Sequence, residues 1–190
     1  MHRNHLLALL REYASRHPDE QVAVSRMVAF VRAHANCFLR SCVPGHVTGS
    51  AWLVSQDGQR VLLTHHRKLN RWLQPGGHAD GDSRVERVAL REAEEESGLS
   101  GLRLLPGGVF DVDIHTIPAR PSEPAHLHYD VRFVIRAGVD EGYRVSEESH
   151  DLAWVPVTSL LASDVEPSMA RMARKWLECH SATVVAHIGK

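Results

Sequence analysis

The chain reads as a mixed α/β (α+β) protein, with one sheet sandwiched between helices and an N-terminal helical hairpin ahead of it. Three observations predict this class. Apolar residues recur at helical period through the first 35 residues. From His46 the apolar period shortens to two. Strand-like stretches then recur on both sides of one highly charged helical segment, and an apolar-faced helix closes the chain.

The elements follow in order. Leu6, Leu9 and Leu10 share a face over 4–16, Pro18 interrupts, and Val22, Met27, Phe30 and Val31 mark a second helix over about 19–35, with Asp19 as its expected N-cap. Residues 47–54 form the first predicted strand. Gln56, Asp57 and Gly58 make a hairpin turn, and 60–65 returns. The glycine loop Pro75, Gly76, Gly77 leads into a helix whose start carries a capping-box pattern, Ser83 with Glu86, and whose end is set by Gly98. Further strands are expected at 108–114, 128–135 and 152–155, with a proline-rich loop over 118–124. Pro167 opens a last helix with Met169, Met172, Ala173 and Trp176 on one face. This order divides the chain into a helical extension over 1–40 packed on the core, a main domain over 41–178 and a tail over 179–190.

Composition narrows the function classes. A chain of 190 residues can bury a sizeable core. A formal net charge of −1 gives no basic excess for nucleic-acid binding. No apolar run is long enough to span a bilayer, and the N-terminal leucines run into Arg11 and Glu12 without a cleavage site, so a cytoplasmic location is expected. Cys37, Cys42 and Cys179 lack metal-type spacing and fit reduced thiols. The 14 histidines are the compositional oddity.

The chemistry concentrates at residues 91–99. On a helix, Glu92, Glu95 and Glu96 lie three and four apart and share an arc, while Val85, Ala89 and Ala93 take the adjoining face and Glu94 points elsewhere. Three carboxylates on one arc repel one another unless cations neutralise them, and such oxygen donors suit Mg2+ or Mn2+. A solvated acidic face is the plain alternative. Arg91 beside the cluster and the upstream glycine loop, which allows close backbone approach, favour a site.

These residues resemble the Nudix box: glycine, five residues, glutamate, seven residues, then Arg-Glu-apolar-x-Glu-Glu-x-Gly-apolar. Gly77 fills the first place, and Arg91, Glu92, Ala93, Glu95, Glu96, Gly98 and Leu99 fill the last block in register. The early glutamate is replaced by Ser83. The likeness extends from about His46 to Trp176 and implies a Nudix-type mixed sheet. It also implies a hydrolase that cleaves a phosphoanhydride bond of a nucleoside diphosphate linked to another moiety. By the same resemblance, Glu92, Glu95 and Glu96 would hold Mg2+ or Mn2+ with the carbonyl of Gly76. Arg91 would orient the glutamates, and a later-loop glutamate, Glu147 or Glu148, would join as base or ligand; Glu148 is carried forward.

His46, His78, His126 and His128 gather around the glycine loop and one later strand, and His115 precedes the proline-rich loop. Imidazoles bind phosphate, make structural hydrogen bonds or ligate transition metals. Phosphate contact by His78 and His128 is the favoured expectation, and a second, transition-metal site on His46, His78, His126 and His128 is the alternative. His46 and His78 also resemble part of the metal site of isopentenyl-diphosphate isomerase, which shares the fold. The intact Arg-Glu-x-x-Glu-Glu block and the absence of cysteine near Leu73, Gln74 and Pro75 argue against isomerase chemistry. A ligand-binding module without turnover is a further alternative, opposed by the retained carboxylates. Arg67, Arg71 and Trp72 precede the glycine loop and are expected to receive phosphates or a base. A small nucleotide-like substrate is the expected partner, with a homodimer also compatible.

Overall fold

The computed structural model describes residues 2–67, 70–121, 124–146, 149–162 and 165–188, with side chains up to residue 179. Helix α1 (Asn4–Arg16) and helix α2 (Gln21–Ala33) form the N-terminal hairpin, joined by a 3-10 turn at Pro18–Glu20. Strands β1 (Gly45–Val54), β2 (Arg60–His66), β3 (Arg71–Leu73) and β4 (Gly76–His78) precede helix α3 (Val85–Ser97). Strands β5 (Arg103–Leu104), β6 (Asp111–Ile117), β7 (His126–Arg136) and β8 (Ser149–Pro156) follow. A 3-10 segment at Val157–Leu161 and helix α4 (Pro167–Ile188) complete the order, α4 running into the stretch that the sequence reading set apart as a tail.

One mixed sheet holds all the strands. β1 runs parallel to β7 over its whole length, from Gly45 opposite Leu127 to Val54 opposite Arg136. β4 pairs antiparallel with β1, β6 with β7, and β8 with β2. Alternation decides the two layers. Val47, Ala51 and Leu53 of β1 and Tyr129, Val131, Phe133 and Ile135 of β7 join one apolar core with Leu6, Leu10 and Tyr13 of α1, Met27 and Phe30 of α2, and Val85, Val88 and Ala89 of α3. Trp52 and Val54 point the other way and pack with Val61, Leu63, Met169, Met172 and Trp176 under α4. The hairpin is therefore a structural layer of the core. Phe30 stacks on Tyr129 at 3.7 Å between ring centroids. No helix among the described residues is long and apolar enough to cross a membrane.

Three local expectations are corrected. Asp19 does not cap α2: it lies inside the 3-10 turn that Pro18 starts, and the chain passes from that turn into the helix with no side-chain cap. Ser83 does not cap α3 either. Asp82 Oδ1 accepts the Arg84 backbone N–H at 2.8 Å, and Glu86 is drawn to His5 Nε2 at 2.8 Å and Arg84 Nε at 2.7 Å instead of reaching back. A Ser83→Ala variant should therefore lose less than about 0.5 kcal/mol in a denaturant melt, where loss of a working N-cap would cost about 1 kcal/mol. The strand placed at 108–114 starts later, at Asp111, because Gly107 and Gly108 adopt left-handed φ values of 126° and 71°, and pairing with β7 carries it on to Ile117.

Candidate active site

α3 presents its carboxylates to the glycine loop. Its apolar stripe, Val85, Val88, Ala89 and Ala93, is buried against the sheet, which turns Glu92 and Glu96 toward β4 and leaves Glu95 at the rim with 62% of its side chain exposed. Glu96 is only 9% exposed, and its Oε1 accepts the Gly76 backbone N–H at 2.8 Å. Gly77 has to be glycine here: a Cβ at that position would overlap the Glu92 carboxylate. Arg91 locks the arrangement, its Nη2 donating to the His78 carbonyl at 3.0 Å and to Glu92 Oε1 at 2.7 Å. The Glu92 contact holds the guanidinium protonated even more firmly than usual. Gly98, in the left-handed conformation, ends the helix with its N–H on the Glu94 carbonyl.

These groups form one wall of a cleft of about 480 Å³, a size suited to a small-molecule ligand. The other wall is the polar end of the sheet face that α4 covers further along. Thr48 Oγ1 and Ser50 Oγ, two apart on β1, both donate to Asp130 Oδ1 of β7, at 2.8 and 2.7 Å. Arg132 Nε donates to Asp130 Oδ2 at 2.7 Å. Imidazoles fill the end of this face. His46 lies opposite His128 in the parallel ladder, and His115 opposite His128 in the antiparallel one. Burial, followed by the neighbouring His78 and His46, pushes the His128 imidazole down to about 2, so it is neutral. The Asp113 carboxylate, 3.0 Å from its Nδ1, moves His115 the other way, up.

A family model described as the NUDIX domain matches residues 45–176, from the first residue of β1 into α4. The chain belongs to the NUDIX family. A Mycobacterium tuberculosis protein carrying the name mutator protein MutT4 is 33% identical over 110 residues, which are 56% of this chain and 42% of that one. A protein of the same organism named for 8-oxo-dGTP diphosphatase 3 is 29% identical over 120 residues, 60% of this chain and 52% of its own. The chain thus spans about half the length of these curated relatives. Among solved structures, a NUDIX family hydrolase from Clostridium perfringens superposes with a TM-score of 0.53 at 27% identity, covering 70% of this chain and 97% of that one. A C. elegans Ap4A hydrolase in a binary complex gives 0.57 at 15% identity over 72% and 98%, a likeness of fold alone.

Within this NUDIX domain, the cleft brings together Gly76, His78, Arg91, Glu92, Glu95, Glu96, His126 and His128 of the residues expected from sequence, and His46 adjoins them behind His78 and His128. Arg67, Arg71 and Trp72 do not line it. Trp72 instead stacks on His65, 5.0 Å between centroids, along the β2–β3 edge. Glu148 lies outside the described residues, as does Glu147. Sequence reading missed Arg40, Arg120, Thr48, Ser50, His66 and Gln74, which all line the cleft. Arg40 sits in the connection before β1 and pairs with Asp80 at 2.7 Å. The one available signal was the alternation His46, Thr48, Ser50, which puts two hydroxyls on the histidine face.

Proposed function

We propose that this NUDIX protein hydrolyses a phosphoanhydride bond of a nucleoside diphosphate linked to another moiety, with Mg2+ or Mn2+ held at Glu92, Glu95 and Glu96. The observation that carries the reading is the meeting of Glu92 and Glu96 with the Gly76–Gly77 backbone inside a polar cleft. The donor set is all hard oxygen, and the missing Cβ at Gly77 leaves room for the Glu92 carboxylate beside the loop, so the residues fit a hard divalent cation. Bound there, such cations would neutralise the diphosphate and activate the attacking water. Arg91 holds Glu92 in place and ties α3 to β4. Arg40 and Arg120 offer guanidinium groups along the cleft to the phosphates of the substrate. Glu148 stays our candidate for the base. The name of one relative, an 8-oxo-dGTP diphosphatase, supports a nucleotide substrate.

A panel of nucleoside diphosphate and polyphosphate compounds, with product analysis, tests the reading. Turnover on at least one compound should fall by about 100-fold or more in excess EDTA, a loss of the size carried by electrostatic groups at a transition state. Mg2+ or Mn2+ should restore it. Full turnover in EDTA would overturn the carboxylate role, and no turnover on any compound would favour a binding module.

A further inference from the structure

We propose that His46, His78 and His128 form a second metal site, distinct from the carboxylate box, that binds a zinc-class divalent ion through imidazole nitrogen. Three neighbouring strands each deliver one imidazole to the same end of the sheet. His128 sits opposite His46 across the β1–β7 ladder, and His78 ends β4, which pairs with β1 at Thr48. The ring centroids make a nearly equilateral triangle: 4.9 Å from His46 to His78, 4.8 Å from His46 to His128 and 5.1 Å from His78 to His128. One ligand nitrogen from each ring lies within 4.8 Å of the others. Nitrogens sharing a zinc ion stand roughly 3.3 Å apart, given Zn–N distances of about 2.0–2.1 Å. The nitrogens would close by up to roughly 1.5 Å to share an ion.

Two further imidazoles flank the three. His126, with its ring 4.8 Å from His46, donates from Nδ1 to the Pro124 carbonyl at 3.0 Å. His115, 5.4 Å from His128, is held by the Asp113 carboxylate. Donor chemistry also separates the two sites, because imidazole selects borderline ions such as zinc, whereas the carboxylates of α3 select magnesium or manganese. Phosphate, the occupant favoured on sequence, fits less well: imidazoles this close repel one another when protonated, which makes a weak anion cradle and a good set of lone pairs. His46, at 1% exposure, is set too deep to reach a substrate directly. An ion here would tie β4, and with it the glycine loop, to β1 and β7. The inference does not depend on which phosphoanhydride is cut.

The test is direct. The full chain is stripped with chelator, checked for fold by circular dichroism and titrated with Zn2+ in excess Mg2+. We expect one equivalent bound, a higher melting temperature, and imidazole ligation in zinc K-edge absorption of the wild-type protein. His78→Gln and His128→Gln should each weaken zinc at least about 100-fold, the upper end of what loss of even an outer partner costs. Glu95→Gln should bind zinc as wild type does. The proposal is overturned if the wild-type protein takes up no stoichiometric zinc, if the absorption spectrum shows oxygen ligands alone, or if zinc follows Glu95 and ignores both histidines. Hydrolysis measured with Mg2+ alone reports on the carboxylate box separately, so failure of either reading is visible on its own.

Discussion

An Asp111→Asn variant is expected to unfold with about 3–5 kcal/mol less stability than the wild-type chain, the cost of removing a buried counterion that three cations share. Asp111 is fully buried at the start of β6 and gathers three cations from two elements. Arg171 of α4 donates to both its oxygens at 2.9 and 2.8 Å. Lys175 reaches Oδ1 at 2.6 Å, and Arg132 of β7, itself 3% exposed, reaches Oδ2 at 3.1 Å. Lys175 also donates to the Tyr13 hydroxyl and pairs with Glu20, so the same node fastens the N-terminal hairpin to α4. Asparagine keeps the shape and removes the charge, leaving Arg132 with Asp130 and Lys175 with Glu20 as counterions in a site water barely enters. Denaturant melts at neutral pH check this, and a loss below about 1 kcal/mol would mean the cations find other partners.

The pH dependence has a definite sign. Burial alone would raise Asp111, but the Arg171 hydrogen bonds and the Arg132 and Lys175 charges outweigh it and hold the carboxyl below the usual range. Burial is likewise outweighed at Asp113, where the His115 contact and Arg132 bring the carboxyl down to about 2. Folded values below the unfolded one, about 3.9, give stability that is complete above that pH and is lost as pH falls through the folded values. The wild-type chain should therefore lose stability between about pH 4 and 2, and Asp111→Asn should show a shallower acid limb.

The second large effect is on turnover. Glu96→Gln should lower kcat at least about 100-fold while the fold survives. Glutamine can still accept the Gly76 N–H at Oε1, so the loop stays in place, and what disappears is one negative charge facing the cleft. Glu95→Gln should fall by a similar factor, from the more exposed end of the same arc. Glu94→Gln, on the outward face of α3, is the control and should turn over as wild type. Near-normal kcat in both the Glu95 and Glu96 variants would reduce the acidic arc to a solvated helix face.

Much of this site was legible without coordinates, for a local reason. Glu92, Glu95 and Glu96 share one helix, so spacing alone puts them on one arc, and the register from Gly77 to Leu99 marks the family from within a short window. The Gly98 stop and the alternation along β1 are equally local. The N-cap was local too and still failed, because the turn gives the Arg84 N–H to Asp82 Oδ1 and leaves α3 with no side-chain cap.

What tertiary structure alone decided depends on register across long separations. Thr48 meets Asp130 across 82 positions, and His46 meets His128 only because β1 and β7 run parallel without a slip. A shift of one residue would turn every imidazole and hydroxyl on that face into the apolar core. Arg40 reaches the cleft from the connection before β1, while Trp72 stacks on His65 along another edge. By itself the sequence determined the family, the layers and the acidic arc, since period and short motifs encode them. Only the folded sheet decided which distant histidines stand together and which charges Asp111 collects, because those contacts depend on strand pairing and helix docking that local pattern does not specify.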